Sequence, residues 1–315
     1  MTTYLIRRSF YALIVMWAVA TLVFFMLRAV PGDPLQAILF DVDPGAAEEL
    51  KQHLGLDQPL YVQYGLWFRN LFQGDLGNSI YGSRIAVSRI ISEAFPRTMS
   101  LAALSFLVAL ILALPAGIVS AVRRNSPLDH SLTFAAFVGL SMPDFWLAIL
   151  LILLFAVNLH WLPAIGYTPF SRGLWPWLSH LILPSIAVGT AFSAIMARMI
   201  RSAMLETLKM DYIQVARSKG LVERAVVLKH AFRNALIPVV TVMGIAFALL
   251  MAGAVVVENV FAIKGLGRVL IQSILNRDYP VVQGAILVVS AIFVFSNLVV
   301  DVLYTVIDPR IRIDN

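Results

Sequence analysis

Residues 98–122 read TMSLAALSFLVALILALPAGIVSAV, 25 residues without a charged side chain, and Arg123 and Arg124 follow directly. About 20 mostly apolar residues in helical form cross the hydrocarbon of a bilayer. The stretch therefore predicts a membrane-spanning helix, Thr98–Val122, that stops at a basic interface. Five more stretches have the same character: Ser9–Leu27, Ser131–Leu159, Leu178–Ala197, Ala235–Val257 and Tyr279–Val300. Only Ser131–Leu159 contains a charge, Asp144. The expected fold class is an all-α membrane protein with six transmembrane helices.

Composition supports this. The chain is 60% hydrophobic and 13% charged, roughly half the charge fraction of a soluble domain. The apolar residues lie in long blocks, which points to lipid contact. There is no cysteine, so disulfides, thiolate metal sites and cysteine nucleophiles are excluded. The net charge of +6 would suggest nucleic acid in a soluble protein. Here its distribution follows the positive-inside rule, and no nucleic-acid partner is expected. At the N-terminus, Arg7 and Arg8 precede Ser9–Leu27. That run exceeds the roughly 7–15 residues of a signal-peptide core and lacks a small-x-small cleavage site after it, so it reads as a retained helix.

Lys and Arg set the expected orientation. With the N-terminus inside, the cytoplasmic pieces hold Arg7, Arg8, Arg123, Arg124, then Arg198, Arg201, Lys209, Arg217, Lys219, Arg224, Lys229 and Arg233, and finally Arg310 and Arg312. The outer pieces are longer in total yet sparser, with Lys51, Arg69, Arg84, Arg89, Arg97, Arg172, Lys264, Arg268 and Arg277. The expectation is N-in and C-in. Residues 30–97 form a long outer loop, acidic-leaning and punctuated by Pro and Gly, that reads as an ordered elaboration. Residues 198–234 form a basic inner loop with helical potential on both sides of Gly220. The whole chain, 1–315, reads as a single transmembrane domain without an internal repeat, which argues against an inverted-repeat secondary transporter.

Within the inner loop, Tyr212-Ile213-Gln214-Val215-Ala216-Arg217-Ser218-Lys219-Gly220-Leu221 carries the most information. Read from its residues, it is a short helix with basic groups near its C-terminus and a glycine to end it. An ordinary basic loop is the competing reading. Asp144 lies inside a span, where a carboxylate is costly and usually functional. Pro143 before it breaks the helix, so a side chain capping the break competes with contact to a solute. Met142, Asp278 and Tyr279 join Asp144 as pore or gate candidates. Glu258, Lys264, Arg268 and Asp278 read as solvated rim charges. Gly265-Leu266-Gly267-Arg268 lacks the third glycine of a dinucleotide loop and reads as an outer turn. His53, His130, His160, His180 and His230 show no metal-ligand spacing. Tyr61, Tyr64, Trp67, Phe68, Trp161, Trp175 and Trp177 fit an aromatic belt, with a docking site for a binding protein as the sharper alternative.

The inner-loop segment resembles the loop signature of binding-protein-dependent ABC importer permeases, Glu-Ala-Ala, three residues, Gly. Ala216 and Gly220 match, while Gln214 and Val215 depart, and Phe232-Arg233 stands where the family places Leu-Pro. The dipeptide, oligopeptide and nickel branch is closer, through Asp211-Tyr212-Ile213, Ala216–Leu221 and His230–Ala235. Further resemblances run along the chain: Pro31-Gly32-Asp33-Pro34, Leu54–Leu60, Gly74-Asp75-Leu76-Gly77, Ser141–Trp146, Ile182-Leu183-Pro184, Arg277–Gln283 and Asp308–Arg312. The resemblance implies a type I ABC importer permease fold. It also implies a paired, homologous second permease, two cytoplasmic ATPases that bind ATP and Mg, and an extracytoplasmic binding protein. Tyr212, Ala216, Arg217, Ser218, Lys219, Gly220 and Leu221 would then form a coupling helix seated on an ATPase. Ala216 and Gly220 would allow close approach, and Arg217 and Lys219 would donate to acidic partner groups.

Three function classes compete: importer permease, ion-coupled secondary transporter and membrane enzyme. Proton coupling needs titratable groups in the membrane, and Asp144 is the one available besides His180 near a span end. The sequence has no G-x-x-x-x-G-K-[ST] and no cofactor signature, so energy must come from a partner. It also lacks H-E-x-x-H, a paired in-membrane carboxylate and G-x-S-x-G, which excludes those membrane enzymes. Peptides are the expected cargo, with nickel chelates, glutathione, opines and oligosaccharides as alternatives. The expected location is the bacterial inner membrane.

Overall fold

A computed structural model describes residues 2–29, 57–81 and 85–307. The motifs at Pro31–Pro34, Leu54–Leu56 and Asp308–Arg312, and residues 30–56 and 82–84 of the expected outer elaboration, lie outside the described residues. The helices are α1 (Thr2–Ala29), α2 (Leu60–Phe72), α3 (Val87–Val122), α4 (Pro127–Ser141), α5 (Asp144–Leu151), α6 (Leu174–Thr207), α7 (Asp211–Ser218), α8 (Phe232–Val260), α9 (Leu266–Leu275) and α10 (Tyr279–Ile307). A π-helical stretch, Ile152–Asn158, continues α5, and another, Val226–Ala231, leads into α8. Among the described residues the only extended pairing is one bridge between Asn78 and Ala86.

Helices α1, α3, α6 and α10 are long and apolar enough to cross a membrane. The expected third span is two helices, α4 and α5, bent by 99°. The sequence explains the bend. Proline disfavours helical geometry in the residue before it and has no N–H to donate. Met142 accordingly sits at φ −83°, ψ 123° and Pro143 at φ −62°, ψ 137°. The fifth expected span lies within α8, 29 residues long with Pro238 inside it. Two features go beyond the sequence expectation. Helix α3 has 36 residues, about 54 Å, because its polar first turns are helical too. Helix α9 begins where an outer turn was expected: Gly265 is its cap and Leu266 its first residue.

The fold divides into two compact units, one from residues 1–96 and 265–294 and one from 97–264 and 295–315. In the first, α2 stacks on α1 through aromatic rings. Tyr64 and Trp67 lie 5.3 and 5.4 Å from Phe24, and Phe68 lies 4.8 Å from Tyr64. Thr21 Oγ1 and the Tyr64 hydroxyl are 2.8 Å apart, and Arg28 Nε donates to Gln63 Oε1 at 3.0 Å. Of the aromatic group assigned to a belt, Tyr64, Trp67 and Phe68 are therefore packed in the cluster on α1, while Tyr61, Trp161 and Trp175 remain exposed. A small core joins Val87, Ile91 and Ala94 of α3 to Leu266 of α9 and Val281 of α10.

The second unit is organised around the contact of α3 with α6. A Cβ on Gly189 would stand 2.6 Å from the Ser105 carbonyl oxygen, and one on Gly117 2.7 Å from the Ala197 carbonyl oxygen. Only residues without side chains allow such backbone approach in a membrane. Residue numbers rise together across these contacts, so α3 and α6 run parallel. Helix α4 runs opposite to α6, with Gly139 against Thr190 and Asp129 against Arg201. Helix α8 runs opposite to α3, since Thr98 bonds Glu258 and Phe106 stacks edge-on to Phe247.

One end of this unit is fastened by a buried charge cluster. Ser126 caps α4 by accepting from Asp129 N at 3.2 Å, with Pro127 in the first turn. Asp129 returns the contact by accepting from Asn125 N at 2.9 Å, a reciprocal arrangement akin to a capping box. Its carboxylate also takes a two-pronged contact from Arg201, Nε to Oδ1 at 2.9 Å and Nη2 to Oδ2 at 2.8 Å. Ser120 donates to it from α3. Three helices thus meet at one carboxylate.

Two predictions follow from this packing. Gly189→Val lowers the stability of the detergent-solubilised chain by about 1–3 kcal/mol through overpacking, whereas Gly65→Ala, with nothing within 4 Å, does not; thermal unfolding measures both. For the cluster, Asp129→Asn and Arg201→Gln each destabilise by roughly 3 kcal/mol because each strands a partner. The double variant falls short of their sum by at least ~1 kcal/mol; strict additivity would show the pair to be uncoupled.

Candidate functional site

Helix α7 follows α6 after only Leu208–Met210. Its sequence alternates inward and outward positions at helical spacing. Ile213 and Ala216 are buried, and Met210, Tyr212, Val215, Leu221 and Val222 are exposed. The helix ends as its sequence predicts. Gly220 takes φ +75°, Leu221 N donates to Ala216 O at 3.4 Å, and Gly220 N donates to Arg217 O at 2.9 Å. These are the two bonds of a Schellman ending, which favours glycine at the left-handed position. The Tyr212 hydroxyl accepts from Asn234 Nδ2 at 2.8 Å, and the same amide donates to His230 O at 3.1 Å. Tyr212 is thereby tied to the start of α8.

The roles expected inside this segment are redistributed. Ala216 faces its own chain and is 7% exposed, so its small side chain serves internal packing and not approach by a partner. A Cβ on Gly220 would meet nothing within 4 Å; the backbone angle, not crowding, requires glycine. Arg217 is already engaged, donating to Glu223 from Nη2 at 2.6 Å and from Nε at 3.1 Å. Hydrogen bonding from Arg217 holds the Glu223 carboxyl below its ordinary value, and the same bond raises Arg217. Ser218 and Lys219 are exposed. The surface offered outward is consequently mixed: apolar Met210, Tyr212, Val215, Leu221 and Val222 stand among Asp211, Gln214, Ser218 and Lys219.

The pore and gate candidates separate in the same way. Asp144 opens α5, where the helix dipole favours an anion, yet among the described residues its side chain makes no hydrogen bond to that turn. Instead Oδ2 lies 2.9 Å from the position a Cβ would take on Gly253, where Phe192 and Val188 also converge. Helices α5, α6 and α8 therefore meet around a half-buried carboxylate, and Met142 sits half-buried at the break beside it. Asp278 corrects the rim reading. It is 4% exposed and accepts from Ser79 Oγ and from Ile80 N at 3.2 Å, which pins the turn before α3 to the start of α10. Glu258 is corrected likewise: it is fully buried and accepts from Thr98 Oγ1 at 2.5 Å. Polar groups in low dielectric are costly unless bonded, and each of these acids has found a hydroxyl. Lys264 is exposed as expected. The hydroxyl of Tyr279 is buried and has no hydrogen-bond partner among the described residues.

The sequence reading missed Asp129, Arg201 and Glu223. A signal existed for Asp129: Ser126-Pro127-Leu128-Asp129 has the spacing of a helix start, and it is the one acid beside Arg123 and Arg124.

The family described as binding-protein-dependent transport system inner membrane component matches residues 113–313, and its N-terminal counterpart matches residues 1–102. A Brucella abortus protein, provisionally named as a peptide transport system permease, is 46% identical over the full length of both chains. The oligopeptide transport system permease AppB of Bacillus subtilis is 38% identical over 99% of this chain and all of its own. The glutathione transport system permease GsiC of Escherichia coli is 44% identical over 99% of each chain. Among solved structures, a chain of the inward-facing MetNI methionine ABC transporter overlays with a TM-score of 0.59 at 20% identity, covering 70% of this chain and 97% of that one. The shared fold, the family match along nearly all of the sequence and the full-length relatives together make this chain a member of the family of inner-membrane components of binding-protein-dependent transport systems.

Proposed function

We propose that the chain is the permease subunit of an ATP-driven importer of short peptides, forming half of a translocation pore, with its termini in the cytoplasm. The observation that carries the coupling role is the set of large apolar side chains exposed in and beside α7. Met210, Tyr212, Val215, Leu221 and Val222 are each exposed within a polar, basic loop, where solvent-facing apolar groups suit a protein partner. They suit a groove on an ATPase. The cargo rests on the relatives: most are named for peptide, dipeptide or oligopeptide transport, while one named for glutathione, itself a small peptide, supports the alternative.

Six crossings fit the geometry. Helices α1, α3, α6, α8 and α10 supply five, and α4 with α5 supplies one broken crossing. Asp129 at its start lies with Arg201, and beyond its end Gly166 N bonds Phe261 O at 2.7 Å, close in sequence to the opposite end marked by Glu258. A single crossing, bent at Met142-Pro143, connects the two ends, so alternation from an inner N-terminus brings the C-terminus inside. The pore is completed by a second, homologous permease, solute arrives from an extracytoplasmic binding protein, and two partner ATPases bind ATP and Mg and hydrolyse the nucleotide. When the ATPases close, force on α7 passes through Leu208–Met210 into the 34-residue rod of α6 and reaches the junction at Asp144 and Gly253. The carboxylate there, half-buried and without a hydrogen bond among the described residues, meets the cationic amino group of a peptide on this reading.

Each half of this reading has its own test. Val215→Asp reduces ATP-driven uptake by at least about tenfold, as expected when a charge enters the apolar centre of an interface, while protein level and thermal stability hold. Uptake at the wild-type rate in Val215→Asp or Gly220→Asp overturns the coupling role. Asp144→Asn lowers peptide uptake at matched protein levels with ATPase activity retained; unchanged uptake returns Asp144 to a purely structural place at the helix break. The Arg217–Glu223 pair adds a pH expectation. A carboxyl with a depressed value stabilises the loop above its unfolded value and loses that contribution as pH falls through the folded one. Coupling therefore shows no step from this pair near neutrality, and uptake titrated between about pH 6 and 8 checks it.

A further inference from the structure

A cavity of about 170 Å³ opens between α3, α4 and α6. Its walls are apolar along α4, where Phe137 and Leu140 are exposed side chains. One end is polar and basic, formed by Ser120, Thr133, Arg198 and Arg201. Arg201 commits Nε and Nη2 to Asp129 and Ser120, which leaves Nη1 without a partner among the described residues. Arg198, one turn earlier on α6, is exposed and makes no hydrogen bond or ion pair among the described residues. Against the single carboxylate of Asp129, two guanidinium groups leave one positive charge at the mouth. Arg123 and Arg124, both exposed at the neighbouring helix turn, add to the local field.

We propose that this cavity binds one anionic phospholipid, with the headgroup phosphate at Arg198 and Arg201 Nη1 and an acyl chain against Phe137 and Leu140. The chemistry is two-sided, as an amphiphile requires. Guanidinium groups match phosphate geometry, and a basic pocket between membrane helices at an interface suits an anionic headgroup. A peptide offers the arginines its carboxylate but has no long acyl chain for the apolar wall at Phe137 and Leu140. The Ser120–Asp129–Arg201 cluster gives the site a rigid floor, since three helices fix Arg201 in place. The proposal does not depend on the transport reading, because the residues and the cavity are present whatever crosses the membrane.

The test is native mass spectrometry of the full chain in a neutral detergent, titrated in separate arms with phosphatidylglycerol, phosphatidylcholine and glycerol 3-phosphate. The wild type retains one phosphatidylglycerol in preference to phosphatidylcholine, and the soluble phosphate does not compete. Arg198→Gln lowers phosphatidylglycerol occupancy about fivefold, with phosphatidylcholine occupancy unchanged and the unfolding temperature preserved. Ala136→Trp, which fills the apolar part without changing charge, lowers occupancy by both lipids. Equal retention of the two lipids, no effect of Arg198→Gln, or competition by glycerol 3-phosphate at the same concentration as the lipid would overturn the proposal. A lipid-free dimer that Ala136→Trp dissociates would overturn it too, by assigning the groove to a second permease.

Discussion

Backbone contact between α3 and α6 is the constraint from which the second unit of this protein follows. Gly189 brings α6 against the carbonyl of Ser105, and Gly117 brings α3 against that of Ala197. In lipid there is little hydrophobic gain from joining two apolar helices, so close packing and polar pairing must hold them. Two glycines supply the packing. The same approach aligns Ser120 of α3 with Arg201 of α6, and that pair receives the Asp129 carboxylate at the start of α4. Helix direction, the position of the α3–α4 turn and the buried charge cluster are consequences of one close contact.

The cluster then bears on function. Helix α6 is continuous from Leu174 to Thr207, and α7 begins at Asp211. A push on α7 meets little slack before it reaches α6, where Asp129 and Arg201 join the rod to α3 and α4. Farther along, Val188 and Phe192 of α6 touch the place where Asp144 and Gly253 meet. The broken span sits at that junction, and a break at Pro143 is where a crossing can change angle without disrupting a regular helix. On the proposed reading, α6 carries motion from α7 to the bend at Pro143.

Much of this was readable before the structure. Long uncharged runs located helices α1, α3, α6 and α10, which are long and apolar enough to cross a membrane, because lipid leaves a helix few alternatives. Pro143 located the break, and Gly220 located the end of α7, each through a backbone preference that needs no tertiary knowledge. Pairing was not readable. Glu258 and Asp278 look like loop charges in sequence, and only the fold delivers Thr98 and Ser79 to them. Arg217 looks like a donor offered to a partner, and a turn of six residues gives it to Glu223 instead. Asp129 and Arg201 are 72 residues apart and follow no local period. Helix α9 was hidden because Gly265 and Gly267 read as a turn when one of them is a cap.

The direct measurement of the central claim is solute accumulation in proteoliposomes. The chain is reconstituted alone and then with its second permease, its ATPases and the binding protein, and each preparation is given ATP or an imposed proton or sodium gradient. Peptide accumulates only in the complete assembly, only with ATP, and with no response to either gradient. Accumulation by this chain alone, driven by an ion gradient in the absence of nucleotide, would contradict it.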